Sequence, residues 1–412
     1  MMDLASQCKN LNMYTHVSTC YVNCEKLGFI KEQIYDIPED SEEIIANIMK
    51  MTPDEQDAKL PQILGPWPNT YTFTKSMGER TLKKRKPANM PCCILRPAII
   101  NASIKEPMPG WTDTLSAAGG LSVAGGSGVL KYVYAKVDNI ADLIPVDYVC
   151  NGIIASTALL ANKPALTIIH SNSSHSNPIT WSGFMNNGFR FLSKQPLSTQ
   201  AFKPVAVFSD NKKYIDTMFF LTSKLPTAIL DKVSKIPGIG NSKMQKDVQT
   251  LKFVNEKLGD LYELFSHFTR NEWIYESKKI YELEAQMTPE ERQIFYVDPK
   301  TFDWGAATCL YAKGIEYYMN KQDIYEVDDR TSFLLNKNKF RRFDSLRRTF
   351  IENQIIAQDP MIIRKEAFAS SFVQSQMEKE LAKPNSETTK TYSQRKAEMI
   401  DLVYRHIDSL QG

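Results

Sequence analysis

Tyr71 and Lys75, in the stretch Pro68-Asn69-Thr70-Tyr71-Thr72-Phe73-Thr74-Lys75, are four residues apart and would stack on one face of a helix. A phenol beside an ammonium suits proton donation to a carbonyl oxygen. Free tyrosine titrates near pH ~10, and an adjacent positive charge favours the phenolate and draws that value down. Such a pair can protonate an alkoxide as a hydride arrives at the carbonyl carbon. The spacing alone decides nothing, because it recurs at Tyr132/Lys136, Tyr275/Lys279, Tyr296/Lys300, Tyr317/Lys321 and Tyr392/Lys396. Most such pairs are ordinary neighbours, so context must select among them.

The surrounding elements select Tyr71. Upstream, Tyr14-Thr15-His16-Val17-Ser18-Thr19-Cys20-Tyr21-Val22 is a short β-prone run carrying hydroxyls. Downstream, Cys92-Cys93-Ile94-Leu95-Arg96-Pro97-Ala98-Ile99-Ile100 has the pattern of a buried strand interrupted by Pro97. None of the other five pairs sits between two such strands. Asn69 or Thr70 is placed to cap the Tyr71 helix. That helix should run to about Lys86, where Lys83, Lys84, Arg85 and Lys86 complement its negative end and Pro87 stops it. Between the first strand and this helix lies an acidic, polar insertion, Glu25 to Leu64, with helical apolar spacing at Ile44, Ile45, Ile48 and Met49.

Further along, residues 103–128 are rich in Gly and Pro. Gly119-Gly120 and Gly125-Gly126-Ser127-Gly128 neither follow a first strand nor have Gly-x-Gly-x-x-Gly spacing, so a substrate-lining or connecting loop is expected there. Asp142 to Val149 leads into an apolar helix, Cys150 to Leu160, and Ala165 to His170 reads as a strand ending in Ser171-Asn172-Ser173. From Trp181 the pattern turns helical and aromatic, with Phe184, Phe189, Phe191, Phe219 and Phe220 expected in the core. Leu251, Val254, Leu258, Leu261 and Phe265 give residues 250–285 an amphipathic face. Residues 331–412 read as a tail. Its basic cluster, Lys337 to Arg348, is interleaved with Phe340 and Phe343, a composition that can lie on an anionic membrane and more often forms a solvated face.

Composition narrows the function classes. At 412 residues the chain can hold two or three domains, and its 42% hydrophobic and 24% charged content is that of a soluble globular protein. A net charge of +3 argues against nucleic acid as partner. Ile236-Pro237-Gly238-Ile239-Gly240 resembles a DNA-binding hairpin turn, but its flanks lack the matching apolar helix. Seven scattered cysteines without a Cys-x-x-Cys pair suggest neither a disulfide framework nor a zinc site, so a reducing, intracellular compartment is the expectation. Five histidines without a His-Glu-x-x-His helix leave metal catalysis unsupported, and His170 and His175 are expected to be solvated in a Ser/Asn-rich loop. The N-terminus shows no signal-peptide pattern, and Met218 to Leu230 is too short and too interrupted to span a bilayer.

Several ordered motifs together resemble the fatty acyl-CoA reductase family of extended short-chain dehydrogenase/reductases. They are His16-Val17-Ser18-Thr19, Tyr71-Thr72-Phe73-Thr74-Lys75, Leu95-Arg96-Pro97, Lys105-Glu106-Pro107-Met108-Pro109-Gly110-Trp111 and Asp142-Leu143-Ile144-Pro145-Val146-Asp147. The likeness is strong from about Tyr14 to Pro178 and weaker to about Tyr325. It implies an α/β fold: a partial doubly wound, Rossmann-type parallel sheet followed by a mainly helical C-terminal domain. The expected divisions are 1–185 (C-terminal half of an NADPH-binding reductase domain), 186–330 (helical C-terminal domain) and 331–412 (basic helical tail). The Gly-rich strand-turn-helix that the family places before the first of these motifs is not among these residues.

The resemblance further implies roles. Thr19, with Ser18 as runner-up, would hydrogen-bond the carbonyl oxygen; Tyr71 would donate the proton; Lys75 would lower the pKa of Tyr71 and hold the nicotinamide ribose. Pro97, Ala98 and Ile99 would abut the nicotinamide. NADPH would reduce a long-chain fatty acyl-CoA to an aldehyde and then to a fatty alcohol, the acyl chain lying along residues 103–134 and the helical domain. A membrane surface, that of the peroxisome or endoplasmic reticulum, and a second copy of the chain are the further partners implied. The competing expectation is a truncated, catalytically inactive, reductase-like interaction protein.

Overall fold

The computed structural model describes residues 1–319 apart from 115–117, 195, 198–199, 201–203 and 205. The tail expected at 331–412 and its basic cluster lie outside the described residues. Among the described residues the strands are β1 (Tyr14–Val17), β2 (Gly28–Ile30), β3 (Cys92–Pro97), β4 (Ile99–Asn101), β5 (Tyr132–Tyr134), β6 (Leu143–Pro145), β7 (Leu166–Ser171), β8 (Val207–Ser209) and β9 (Trp273–Tyr275).

β3 is buried along its whole length, as a parallel strand covered on both faces must be. It is the centre of a three-stranded sheet of order β1-β3-β7, with Tyr14 opposite Cys92 and Arg96 opposite His170. The remaining strands form parallel pairs: β4 with β6, β5 with β8, and β2 with β9. Right after Pro97 the chain changes neighbour: Ala98 N–H still donates to Ser171 at 2.9 Å, whereas Ile99 N–H donates to Asp142 at 3.1 Å and starts β4 beside β6.

Parallel strands need long crossovers, and helices supply them. The helix Thr70–Arg85 links the insertion to β3, and Asn69 caps it by accepting from Thr72 N at 2.9 Å. The helix Val146–Leu159 returns to β7. Beyond β7 the chain is mainly helical, with Trp181–Lys194, Ser242–Arg270 and Trp304–Gly314 as the principal helices. Trp304–Gly314 is buried at nearly every position, the mark of a helix with no solvent face. The α/β class with a helical C-terminal portion is therefore the fold this chain adopts. A division near 185 separates segments of sequence, for β2 and β9 pair across it and all described residues belong to one compact unit.

Three expectations are corrected. The glycines at 119–120 and 125–126 lie in a helix, Ala118–Gly126, rather than a loop. A Cβ on Gly126 would come within 2.8 Å of Leu192 and Leu197, so glycine is what lets this helix press on the chain around Trp181–Lys194. His170 is fully buried, because β7 continues through Ser171 and carries it inside. Phe220 is 50% exposed, not core.

Candidate active site

The chemistry-bearing residues meet beyond the carboxyl ends of β1 and β3, where open α/β sheets place ligands. Ser18 N–H donates to Leu95 O at 2.8 Å, extending the β1–β3 ladder by one step. Thr19 then turns the chain: its backbone is extended, and its Oγ1 accepts from Tyr21 N at 3.3 Å to cap the 3-10 turn Cys20–Asn23. The Thr19 hydroxyl also reaches Pro97 O at 3.4 Å, tying the ends of the two strands together. Across the gap, Asn69 starts the helix that presents Tyr71 and Lys75 one turn apart on the same side.

A cavity of about 800 Å³ opens here, and Ser18, Thr19, Tyr71 and Lys75 all line it. So do Pro97, Ala98 and Ile99. All seven residues singled out in the sequence are thus walls of one space. The Ser18 hydroxyl is buried without a hydrogen-bond partner, and the Thr19 hydroxyl stands close enough to the Tyr71 phenol to act on its titration.

The electrostatics of Tyr71 differ from the expectation. The Lys75 ammonium donates to Val17 O at 2.9 Å, holding the helix to the end of β1. Burial raises the Tyr71 phenol above its ordinary value, partly offset by the Thr19 hydroxyl. Its ring is nonetheless 55% exposed, because it faces the cavity while protein surrounds the rest. The expected lowering by Lys75 is therefore replaced by a raising: the lysine's charge is directed at a backbone carbonyl, and desolvation of the phenolate wins.

Behind the site stand residues whose importance the sequence did not reveal. Arg96 is fully buried and makes a two-pronged ion pair with Glu79, at 2.9 and 2.6 Å. Glu79 sits one turn after Lys75, so this pair fixes the Tyr71 helix against β3. The third prong of Arg96 donates to His170 Nε2 at 3.1 Å. An arginine can only donate, so Nε2 accepts and Nδ1 carries the proton given to Glu276 O at 2.9 Å. Burial and the neighbouring guanidinium hold His170 well below the usual imidazole range, in its neutral form. The hints in the sequence were the Leu95-Arg96-Pro97 motif and the four-residue step from Lys75 to Glu79 on one helical face.

Asp147, at the start of its helix, accepts from the backbone N–H groups of Ile104 and Lys105 at 3.1 and 2.8 Å and from the Tyr296 hydroxyl at 2.7 Å. This pins the 103–111 loop, whose Trp111 lines the cavity. Gly110 (φ +79°) lies so close to the Trp304–Gly314 helix that a Cβ there would collide with Leu310 O, and a Cβ on Gly314 would collide with Gly110 O. The same helix brings Tyr311 to the cavity, and Ser242–Arg270 brings Leu264, Phe265 and Phe268. The polar end of the space thus comes from the sheet and the apolar end from the helical portion.

A family described as male sterility protein matches in two ordered segments, its NAD-binding model over residues 1–153 and its Sterile model over residues 222–322. Similar proteins include fatty acyl-CoA reductase 1 of Xenopus laevis, 28% identical over 326 residues, which make up 79% of this chain and 61% of the relative. Fatty acyl-CoA reductase 2 of Bos taurus is 28% identical over 333 residues (80% and 63%), and that of Mus musculus 29% over 323 residues (78% and 61%). The chain thus spans about three fifths of the length of these relatives. Among solved structures, the terminal R domain of the myxalamid PKS-NRPS pathway aligns with 76% of this chain and 59% of its own, at 11% identity and a TM-score of 0.38. The reductase domain of a nonribosomal peptide synthetase from Mycobacterium tuberculosis aligns with 73% and 59%, at 14% identity and a TM-score of 0.36.

Proposed function

From the premise that this chain belongs to the male sterility protein family, both of whose segments it carries in order, we propose that it is the carbonyl-reducing portion of a fatty acyl-CoA reductase. The observation that carries the reading is the convergence of Ser18, Thr19, Tyr71, Lys75 and the Pro97–Ile99 strand end on one cavity with an apolar far wall. The curated relatives named as fatty acyl-CoA reductases support the substrate class.

The residues present fit the nicotinamide end of a dinucleotide: Lys75 and Tyr71 would hold the ribose, and Pro97, Ala98 and Ile99 would flank the ring. When bound, that ring supplies hydride. Among the described residues, none that lines the cavity is a glycine of the kind that cradles a pyrophosphate.

In the first reduction the thioester carbon gains hydride, the C–S bond breaks, and the CoA thiolate leaves and takes a proton. In the second the aldehyde carbon gains hydride and its oxygen takes a proton. The Thr19 hydroxyl would donate a hydrogen bond to the carbonyl oxygen in both, and the Tyr71 hydroxyl would deliver the proton. A phenol held above its ordinary pKa stays protonated, which is the form a proton donor requires. The acyl chain would run past Trp111 towards Phe265, Phe268 and Tyr311.

The test is titration of the purified chain with NADPH and, separately, NADH, followed by acyl-CoA reduction with aldehyde and alcohol assayed as products. Saturable NADPH binding with turnover supports the reading. Absence of binding to both nucleotides favours the second reading, a reductase-like binding protein without catalysis.

A further inference from the structure

Large apolar side chains stand exposed along one run of the described chain: Phe220 (50%), Leu221 (49%), Ile229 (53%), Ile239 (61%) and Phe253 (59%). They belong to a helical hairpin. Its first arm is Lys212–Phe219, a π turn Phe220–Lys224 and Leu225–Ser234; its second is Ser242–Arg270. The arms meet along Leu225–Ser234, where Asn255 donates to Thr227 Oγ1 at 2.9 Å, and Thr227, Val248 and Leu258 are buried. The turn between the arms is tight, since Gly238 has φ +82° and a Cβ on Gly240 would collide with Ser234 O. That turn projects Ile236 and Ile239 outward at the hairpin's tip.

Charge decides what such a surface meets. Residues 212–253 contain eight lysines against three aspartates, a local excess of five on a chain whose total is +3. Lys213, Lys224, Lys232, Lys243 and Lys246 are exposed beside the apolar residues. A second copy would bring the same excess against itself. The chain's own residues 331–412 carry fourteen basic and ten acidic side chains and match the hairpin's sign rather than oppose it. An anionic lipid surface satisfies both features at once, accepting the apolar side chains between its headgroups and attracting the lysines. No described helix is long and apolar enough to cross a membrane, so the contact is interfacial.

We propose that the 212–253 hairpin docks this protein on an anionic lipid surface by inserting Phe220, Leu221, Ile229 and Ile239 at headgroup depth. The second arm continues from Phe253 to Leu264, roughly 16 Å further at 1.5 Å per residue, where Leu264, Phe265 and Phe268 wall the cavity. The helix between the two carries the exposed Lys257–Asp260 ion pair on its surface, so docking and the cavity share one element without a continuous apolar path. The docking itself does not rest on the reductase reading, which acyl-CoA reduction in lipid-free solution tests separately.

The experiment is co-flotation of the full 412-residue chain with phosphatidylcholine vesicles with and without phosphatidylserine. Three variants are compared: Leu221→Ser/Ile229→Ser, Ile239→Ser, and Lys232→Gln/Lys243→Gln. All five sites are exposed, and circular dichroism checks that each variant folds. Binding confined to anionic vesicles and weakened by salt is expected. The two-lysine variant should bind on the order of 30-fold more weakly, and the serine variants should also lose binding. An Ile239→Trp variant should shift its fluorescence to the blue with vesicles. Failure of the wild type to bind anionic vesicles overturns the proposal. So does equal binding by every variant, which would assign the contact to residues 331–412.

Discussion

Arg96 and Glu79 grip each other through two hydrogen bonds in complete burial, and by doing so join the central strand to the helix that carries Tyr71 and Lys75. Each charge is costly without the other. Glu79→Leu should lower stability by about 3–5 kcal/mol, because it strands a buried guanidinium, and Arg96→Met should do similarly. The double variant should recover much of that loss. Urea unfolding midpoints check this; a double variant as unstable as the sum of the singles would show that the pair is not an isolated couple.

Tyr71→Phe should leave the melting temperature near that of the wild type, since the residue is 55% exposed and lines the cavity. Carbonyl reduction by the protein should fall by about 10²–10⁴-fold, the usual contribution of a positioned proton donor. Thr19→Val should also lower turnover. Full activity in Tyr71→Phe would remove the proposed role.

The contribution of Glu32 to stability should fall as pH rises from about 4.5 to 7. Burial pushes the Glu32 carboxyl up to about 7, despite N–H donors from His170 and Lys279 at 3.1 and 3.0 Å. Over that window the folded chain keeps a proton that the unfolded chain has released, so this contribution is full below the unfolded value and lost as pH passes the folded one. Burial raises Asp142 to about 6 in the same sense. His170, lowered by burial, acts oppositely and costs stability as pH falls below its unfolded value. The wild type minus Glu32→Gln difference therefore isolates Glu32. Thermal melts of both across this range should show the wild-type-minus-variant stability difference falling as pH rises from about 4.5 to 7; parallel profiles would contradict the assignment.

Gly314→Ala should destabilise by roughly 1–3 kcal/mol or more, since its methyl group would overlap Gly110 O and push the 103–111 loop off the helix. Gly259→Ala is the control. It lies within Ser242–Arg270, where an added methyl group would meet nothing within 4 Å, and it should stabilise by about 0.5–1 kcal/mol through helix propensity. Differential scanning calorimetry of the two variants should give shifts of opposite sign.

What could be read from the sequence was local. The Asn69 cap, the apolar run of β3 and the Tyr71–Lys75 step are each written within a few consecutive residues, and they suffice to bring Thr19, Tyr71, Lys75 and Pro97 to one place. What escaped was set by distant partners. Lys75 turns to Val17 O, reversing the expected direction for Tyr71. His170 looked solvated among serines and asparagines, but Arg96 and Glu276 O satisfy both its nitrogens inside the protein. β2 and β9 are three residues each, too short to show a period, and only their pairing makes them strands.

That pairing also bears on how the chain is made. Gly28 and Trp273 lie opposite each other, 245 residues apart. At ~5–20 residues per second, a ribosome would need roughly 10–50 s to supply the partner after the first strand emerges. During that interval Phe29 and Ile30 have no ladder to join. The final closure of this pair comes only when the helical portion has been synthesised.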